Sequence, residues 1–262
     1  MTRKLLLILA SCLFALAAQA GMQEGYSAYN EGNYAVALKE FRKMAAKGNQ
    51  GGQFYLGLMY ANGQGVPKDE KAAAVWYEKS AKQGYAGAQF NLGNLYHVGA
   101  GVPKDDKKAV YWFEQAASQN LPDAQFALGL MYAMGTGVEA KPEDAVKWYR
   151  KAADQGYAPA QYNLGVLSRE GKEPDLKAAA DWFEKAATQG YVPAQFNLAY
   201  MYTEGQVIGT DYIRAYKWAF LAARTGDPKS GKLLRYLESS LTKEQVETAK
   251  AMVAEWENAL NK

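Results

Sequence analysis

The chain is poor in the residues that most often carry chemistry. Its 262 residues hold one cysteine, Cys12, and one histidine, His97. A zinc site built from cysteine and histidine is therefore excluded, and so is a disulfide within the chain. His97 has no second histidine to extend a triad, and it reads as a helix-end or surface residue. No run of acids has the calcium-loop spacing with its turn glycine. No cofactor is expected. Charge of one sign is also lacking, with 30 Lys and Arg against 27 Asp and Glu. That balance gives no electrostatic argument for nucleic acid or an anionic membrane. Long apolar runs are scarce as well. The one candidate, Leu5 to Ala18, is too short to be a comfortable membrane span.

That single run sits at the N-terminus behind Arg3 and Lys4, and Ala18-Gln19-Ala20 follows as a small-x-small cleavage site. Residues 1–20 read as a secretory signal peptide, so the mature chain is expected to begin at Gly21 in the periplasm or medium. Loss of Arg3 and Lys4 brings the formal charge from +3 to +1. Leu9-Ala10-Ser11-Cys12 also fits a lipoprotein box, which would anchor the protein through Cys12. The apolar run before Cys12 is very short and continues past it, so cleavage after Ala20 is the expected route.

What the chain has in abundance is itself. Ala88-Gln89-Phe90-Asn91-Leu92-Gly93 returns as Ala124-Gln125-Phe126-Ala127-Leu128-Gly129, and again from Ala160 and Ala194. Gln53, Gln89, Gln125, Gln161 and Gln195 step by 36, 36, 36 and 34 residues. Trp76, Trp112, Trp148, Trp182 and Trp218 step by 36, 36, 34 and 36. A fixed period in this range marks a stacked solenoid, where each unit buries its apolar face against its neighbours.

Each unit reads as a helical hairpin. In the second, Ala88, Leu92, Leu95 and Tyr96 have helical spacing, and the helix stops at Gly99-Ala100-Gly101. Asp105 stands at an N-cap or first-turn position. A second helix carries Ala109, Trp112, Phe113, Ala116 and Ala117, and Pro122 separates it from the next unit. The tryptophans and paired alanines are expected to interdigitate between hairpins. Gly57, Gly93, Gly129 and Gly165 each follow a leucine and suggest close packing of the paired helix, because glycine otherwise costs a helix about 1 kcal/mol. At the C-terminus, Thr242 with Gln245 gives a capping-box start before Val246, Ala249, Val253 and Trp256.

The pattern Ala-x-x-x-Leu-Gly-x-x-Tyr-x-x-Gly-x-Gly-Val, then Asp-x-x-x-Ala-x-x-Trp-Tyr-x-x-Ala-Ala-x-x-Gly, resembles the Sel-one-like repeat family, a relative of the tetratricopeptide repeat. Gly25 to Gly48 resembles an ordinary tetratricopeptide half. The resemblance implies an all-α, right-handed solenoid of stacked hairpins. It divides the chain into a signal peptide at 1–20 and a tetratricopeptide-like hairpin at 21–51. Five repeats follow at 52–87, 88–123, 124–159, 160–193 and 194–227, and capping helices at 228–262. Unit four departs with Gly171-Lys172-Glu173-Pro174 at its turn, and unit five has Ala199 where the others have glycine.

Catalytic signals are thin. Ser240-Leu241-Thr242-Lys243 matches the Ser-x-x-Lys of penicillin-recognising enzymes, without a Ser-Asp-Asn or Lys-Thr-Gly to accompany it. Some cysteine-rich members of the family bind β-lactams, but their paired cysteines are absent here. The expected function is a non-enzymatic, exported scaffold that binds a protein partner. The alternatives are a β-lactam-binding hydrolase or a scaffold for envelope polysaccharide assembly. The aromatic column Phe54, Phe90, Phe126, Tyr162 and Phe196 recurs in every unit and reads as scaffold. Residues that vary between units are the better guide to binding. Tetratricopeptide solenoids place such first-helix positions in a concave groove. On that ground Asn91, Asn94, His97, Met134, Asn163, Arg169, Asn197 and Tyr200 are the candidate groove residues.

The leader reading has a direct check. Mass spectrometry of the exported protein is expected to find Gly21 as its first residue. A diacylated chain beginning at Cys12 would overturn it and place the protein on a membrane face.

Overall fold

A repeat becomes two helices because its sequence starts, stops and restarts them with different residues. In the second repeat the first helix runs Ala86–Val98 and ends on Gly99, which takes φ 81° and donates its N–H to the Leu95 carbonyl. Asp105 then caps the second helix, Asp106–Ser118, by accepting the Lys108 N–H at 3.0 Å. The inner turn is closed by one backbone bond, from the Asp105 N–H to the Tyr96 carbonyl at 2.8 Å. Bonds at the same place tie Asp69 to Tyr60, Lys141 to Tyr132, Asp175 to Ser168 and Asp211 to Tyr202. The shortened turn of the fourth repeat therefore keeps the closure while losing its left-handed cap, since Gly171 has φ −65°.

The computed structural model describes residues 21–206 and 209–260. Residues 1–20, on which the expected signal peptide with Cys12 and Ala20 falls, lie outside the described residues. Among the described residues there are fourteen helices and no strand. The first spans residues 21–30 (α1). Then come α2 (Tyr34–Ala46), α3 (Gln50–Asn62), α4 (Glu70–Ala81), α5 (Ala86–Val98), α6 (Asp106–Ser118) and α7 (Pro122–Met134). The rest are α8 (Pro142–Asp154), α9 (Ala158–Glu170), α10 (Leu176–Thr188), α11 (Val192–Thr203), α12 (Tyr212–Ala223), α13 (Pro228–Ser240) and α14 (Lys243–Leu260). The all-α repeat fold is as expected. Pro122 does not separate units but opens α7 at its first residue, where proline's missing N–H costs nothing.

The chain forms two compact units, up to Ala145 and from Val146. In the first, α3/α4 and α5/α6 are hairpins, and α4 packs on α5 and α6 on α7. Its N-terminal core joins Ala28, Ala37 and Phe41 to Leu56 and Met59. In the second, α9/α10 and α11/α12 are hairpins, α10 packs on α11, and α13 and α14 both pack on α12. Leu237, Ala249 and Val253 of those last two helices join its core. Thr242 and Gln245 form the expected capping box, each accepting the other's N–H.

The spacing within each hairpin is set by a ring on a glycine. A Cβ added to Gly57 would lie 2.7 Å from the Tyr77 ring, one at Gly93 2.7 Å from Phe113, and one at Gly165 2.6 Å from Phe183. The rings are essentially wholly buried. The fifth repeat breaks both halves of the rule together. Ala199 replaces the glycine and Ala219 stands where the ring would be, and both are buried.

In the first three repeats the ring in the core follows the tryptophan, as Tyr77, Phe113 and Tyr149 do. Trp182 and Trp218 are buried, but Trp76, Trp112 and Trp148 remain half-buried. One residue earlier on a helix is about 100° round it, so these indoles turn towards the rim. There Lys79 lies over Trp76 at 4.2 Å, Lys151 over Trp148 at 3.8 Å and Lys185 over Trp182 at 4.0 Å.

The repeated glutamines are ties between helices. Gln89 is buried in α5 and donates through Nε2 to the Ala81 carbonyl at the end of α4, at 3.2 Å. Its Oε1 accepts from Gln119 at 2.8 Å. Gln161 repeats the arrangement with Ala153 and Gln189, at 3.1 and 2.7 Å. Each tie adds a second donor to a helix-end carbonyl that already accepts a backbone N–H from the linker, as Ala81 does from Gly84 and Ala153 from Gly156.

Gly93→Ala is expected to cost about 1–3 kcal/mol, the range for overpacking a filled core. In a Phe113→Ala background the same change is expected to be neutral or stabilising. The double variant recreates the Ala199/Ala219 pair, and alanine is the better helix former. Urea unfolding midpoints of the four chains decide it. An equal cost in both backgrounds would show that the ring does not set the spacing. Trp148→Ala is expected to cost less than Phe113→Ala.

Candidate functional site

The first helices carry every residue proposed from sequence to bind a partner, and the structure sorts those residues into three groups. The first group serves the fold. Asn91 lies by the Tyr77 hydroxyl and Asn163 by that of Tyr149, each close enough to lower the tyrosine's pKa against the effect of burial. Both tyrosines are almost wholly buried. His97 also has an internal partner. Its Nδ1 lies 2.6 Å from Asp106 Oδ1, linking the end of α5 to the start of α6 across the inner turn.

A second group forms a connected cluster. Arg169 donates to Asn197 Oδ1 at 3.0 Å, and Asn197 Nδ2 donates to the Tyr162 hydroxyl at 3.3 Å. The Arg169 guanidinium also lies 5.6 Å from the centre of the Phe183 ring. The third group is exposed. Met134 is 61% and Tyr200 42% accessible, and the Tyr200 ring stacks on Phe196 at 6.5 Å. Asn94 is half-buried on α5.

The aromatic column packs against the core and also reaches the surface. Phe54, Phe90, Phe126, Tyr162 and Phe196 are all half-buried, so their rings are partly on the surface. Tyr162 and Phe196 line a cavity of about 260 Å³ with Asn197, Asp227 and Lys229. In the sequence, Tyr162 stands out as the one member of the column with a hydroxyl. The cavity is small, mixed in polarity and rimmed by donors and acceptors, which suits side chains of a bound segment.

The Ser-x-x-Lys match does not assemble a nucleophile. Ser240 ends α13 and donates its hydroxyl to the Tyr236 carbonyl at 2.9 Å. Leu241 is extended, at φ −101° and ψ 148°, and Lys243 opens the next helix. The two residues therefore do not stand on successive turns of one helix. Gln64, in the first turn, holds the N-terminal hairpin. It accepts from the Tyr29 hydroxyl at 2.6 Å and donates to that of Tyr34 at 2.9 Å.

The Sel1 repeat profile matches residues 51–85, 86–121, 122–157, 158–191 and 192–227. The chain belongs to the Sel1 repeat family. Proteins of this family generally serve as protein-interaction scaffolds. A Sel1 repeat protein from Oxalobacter formigenes is 35% identical, with TM-score 0.78, over 89% of this chain and 99% of that one. A second solved structure is c5321, a protective antigen of uropathogenic Escherichia coli strains displaying the same repeat fold. It is 29% identical, with TM-score 0.59, over 91% of this chain and 60% of that one. An immunity protein from Pseudomonas aeruginosa, Pa5087, is 20% identical over 84% of this chain and 87% of its own, with TM-score 0.51, and shares the fold. Comparison with curated proteins gave no match. No helix among the described residues is long and apolar enough to cross a membrane.

The buried hydroxyls give this Sel1 repeat protein an alkaline limit. Burial pushes Tyr77 up to about 12 from an ordinary 10.0, against the lowering effect of Asn91. Burial also takes Tyr55 to about 12, helped by the nearby Tyr85, Tyr26 and Tyr29. Between pH 10 and 12 the folded chain keeps protons that the unfolded chain releases, so stability falls as pH rises through that window and is unaffected below it. Urea midpoints are expected to drop across that range, and less steeply in Tyr77→Phe. Equal slopes would contradict the assignment.

Proposed function

We propose that this Sel1 repeat protein is exported and acts as a scaffold, holding a protein partner against its first-helix faces. The observation that carries this reading is a division of labour among the repeats. Rings, glycines and glutamines are repeated and buried. Met134, Tyr200 and the Arg169–Asn197–Tyr162 cluster are particular to their repeats and lie at the surface. Exposed methionine, tyrosine and partly exposed arginine are the residue types enriched in the energetic centres of protein interfaces. The partner is a protein segment recognised by apolar and hydrogen-bonding contacts, since the near-balanced charge offers no long-range steering. Export rests on the leader and its cleavage site, and locates the protein in the periplasm or medium.

A photo-crosslinker placed at Tyr200 is expected to capture a partner, identified by mass, while crosslinkers at Thr136 and Glu139 on the turn edge are not. Tyr200→Ala is then expected to weaken binding of that partner by about 1–2 kcal/mol without loss of helicity, the scale of an interface anchor. Thr136→Ala and Glu139→Ala are expected to leave it unchanged. Gln64 is unsuited as a control because it braces Tyr29 and Tyr34. Turn-edge variants that abolish binding while Tyr200→Ala does not would move the recognition surface to the turns.

A further inference from the structure

Glu40 is out of place. It is a carboxylate in the middle of α2, only 5% accessible, and among the described residues the other buried polar side chains are uncharged. Among those residues its ionic contact is Lys43 at 3.4 Å, and that lysine is 56% exposed. A surface lysine at this distance compensates a buried carboxylate poorly, because water competes for the ammonium. The Glu40 carboxylate is aimed at the start of α1. A Cβ built on Gly21 would lie 3.3 Å from Glu40 Oε2 and 3.0 Å from the tip of Met44. Gly21 is buried there, and one helical turn on, a Cβ built on Gly25 would lie 2.7 Å from the Phe41 ring.

We propose that Glu40 is the receptor for the chain's own processed N-terminus, the α-ammonium of Gly21 forming an ion pair with its carboxylate once the leader is removed. This rests on cleavage between Ala20 and Gly21. In the precursor the Gly21 nitrogen is a neutral amide. Hydrolysis of the Ala20–Gly21 bond adds water, leaves a carboxylate on the released peptide and puts a positive charge on Gly21. A nitrogen and a Cβ on the same carbon are about 2.5 Å apart, so the new charge appears within about 6 Å of Oε2. A small adjustment of one flexible side chain closes that gap. The pairing answers two difficulties together. It supplies the buried carboxylate with a second partner besides the exposed Lys43. It also offsets the ammonium's repulsion from the positive end of the α1 dipole. Glycine at position 21 leaves the room in which the two groups meet. The consequence is that the terminal hairpin, which has a neighbour on one side only, tightens upon processing.

The test compares chains that begin at Gly21 with a free amine and chains that retain Ala18-Gln19-Ala20, each with Glu40 or Glu40→Gln. The processed chain carries every described helix. With Glu40 present, it is expected to melt a few °C above the extended chain, the shift that a contribution of this kind gives in a chain of this size. In Glu40→Gln that difference is expected to vanish. Acylation of the α-amine gives a second reading that does not need equal stabilities. The Gly21 amine of the folded chain is expected to react several-fold more slowly than in Glu40→Gln. An equal melting difference with and without Glu40, or equal acylation rates, would overturn the pairing. Mass analysis of the exported protein tests the cleavage site separately. A start other than Gly21 would refute the leader reading and leave the recombinant comparison to judge the site itself.

Discussion

A helix can lie close against its neighbour only where neither presents bulk, and here the contact is a ring laid flat on a bare backbone. Tyr77 on Gly57, Phe113 on Gly93 and Phe183 on Gly165 fix the distance between the two helices of a hairpin. Everything else in the repeat follows from that distance. The inner turn must bridge it, so a backbone N–H to carbonyl bond closes it at the same place whether the turn is long, as from Asp105 to Tyr96, or shortened, as from Asp175 to Ser168. The alanines at the ends of the second helices, such as Ala116 and Ala117, are wholly buried because nothing larger fits between closely set helices. A glycine in mid-helix costs about 1 kcal/mol in propensity, and burial of a large aromatic side chain returns more than that. Where the ring is gone, in the fifth repeat, the glycine is gone too.

Stacking one hairpin on the next poses a different problem. The buried glutamines join each second helix to the next first helix by polar bonds as well as apolar contact. Gln89 reaches the Ala81 carbonyl and accepts from Gln119. Gln53 reaches Ala45 and accepts from Gln83. A side-chain amide is suited to the task because it donates and accepts at once without a charge to desolvate. The second glycine of the turn adds a steric tie at the other end. A Cβ on Gly101 would lie 2.2 Å from the Glu70 carbonyl oxygen, so that turn rests directly on the backbone of the preceding repeat.

The period of the chain, its helix stops and its caps were legible because they depend on residues adjacent in sequence. Gly99, Asp105, Thr242 and Gln245 act within a turn of where they stand. The roles that sequence misassigned depend on direction across space. Trp76 and Tyr77 are neighbours of similar size, and periodicity does not say which of them faces the paired helix. The structure puts Tyr77 in the core and leaves Trp76 under Lys79 at the rim. Asn91 and Asn163 stand at first-helix positions that the resemblance to tetratricopeptide solenoids assigns to a concave groove. Each instead meets a tyrosine hydroxyl fourteen residues back, a partner that only the fold supplies. His97 was correctly read as a helix-end residue, while its pairing with Asp106 depends on the inner turn bringing the two together.

That fourteen-residue relation also accounts for where a surface is free to become specific. When the core ring is tyrosine, as at Tyr77 and Tyr149, the residue fourteen on is asparagine and its amide lies by the hydroxyl. When the ring is Phe113 the residue is Ala127, and no amide is needed. Phe183 keeps the ring and drops the hydroxyl, but Asn197 remains. Its amide is thereby released from the core, and it bonds Arg169 and Tyr162 instead. Repeat four also has the shortened turn and the only arginine at its helix-end position, where the other repeats carry alanine, histidine or threonine. The polar cluster on this face thus arises at the place where the internal pattern of the solenoid is least strictly followed. A repeat scaffold gains specificity in this way, because the residues that define the spacing cannot vary without altering it, and those relieved of a structural partner can.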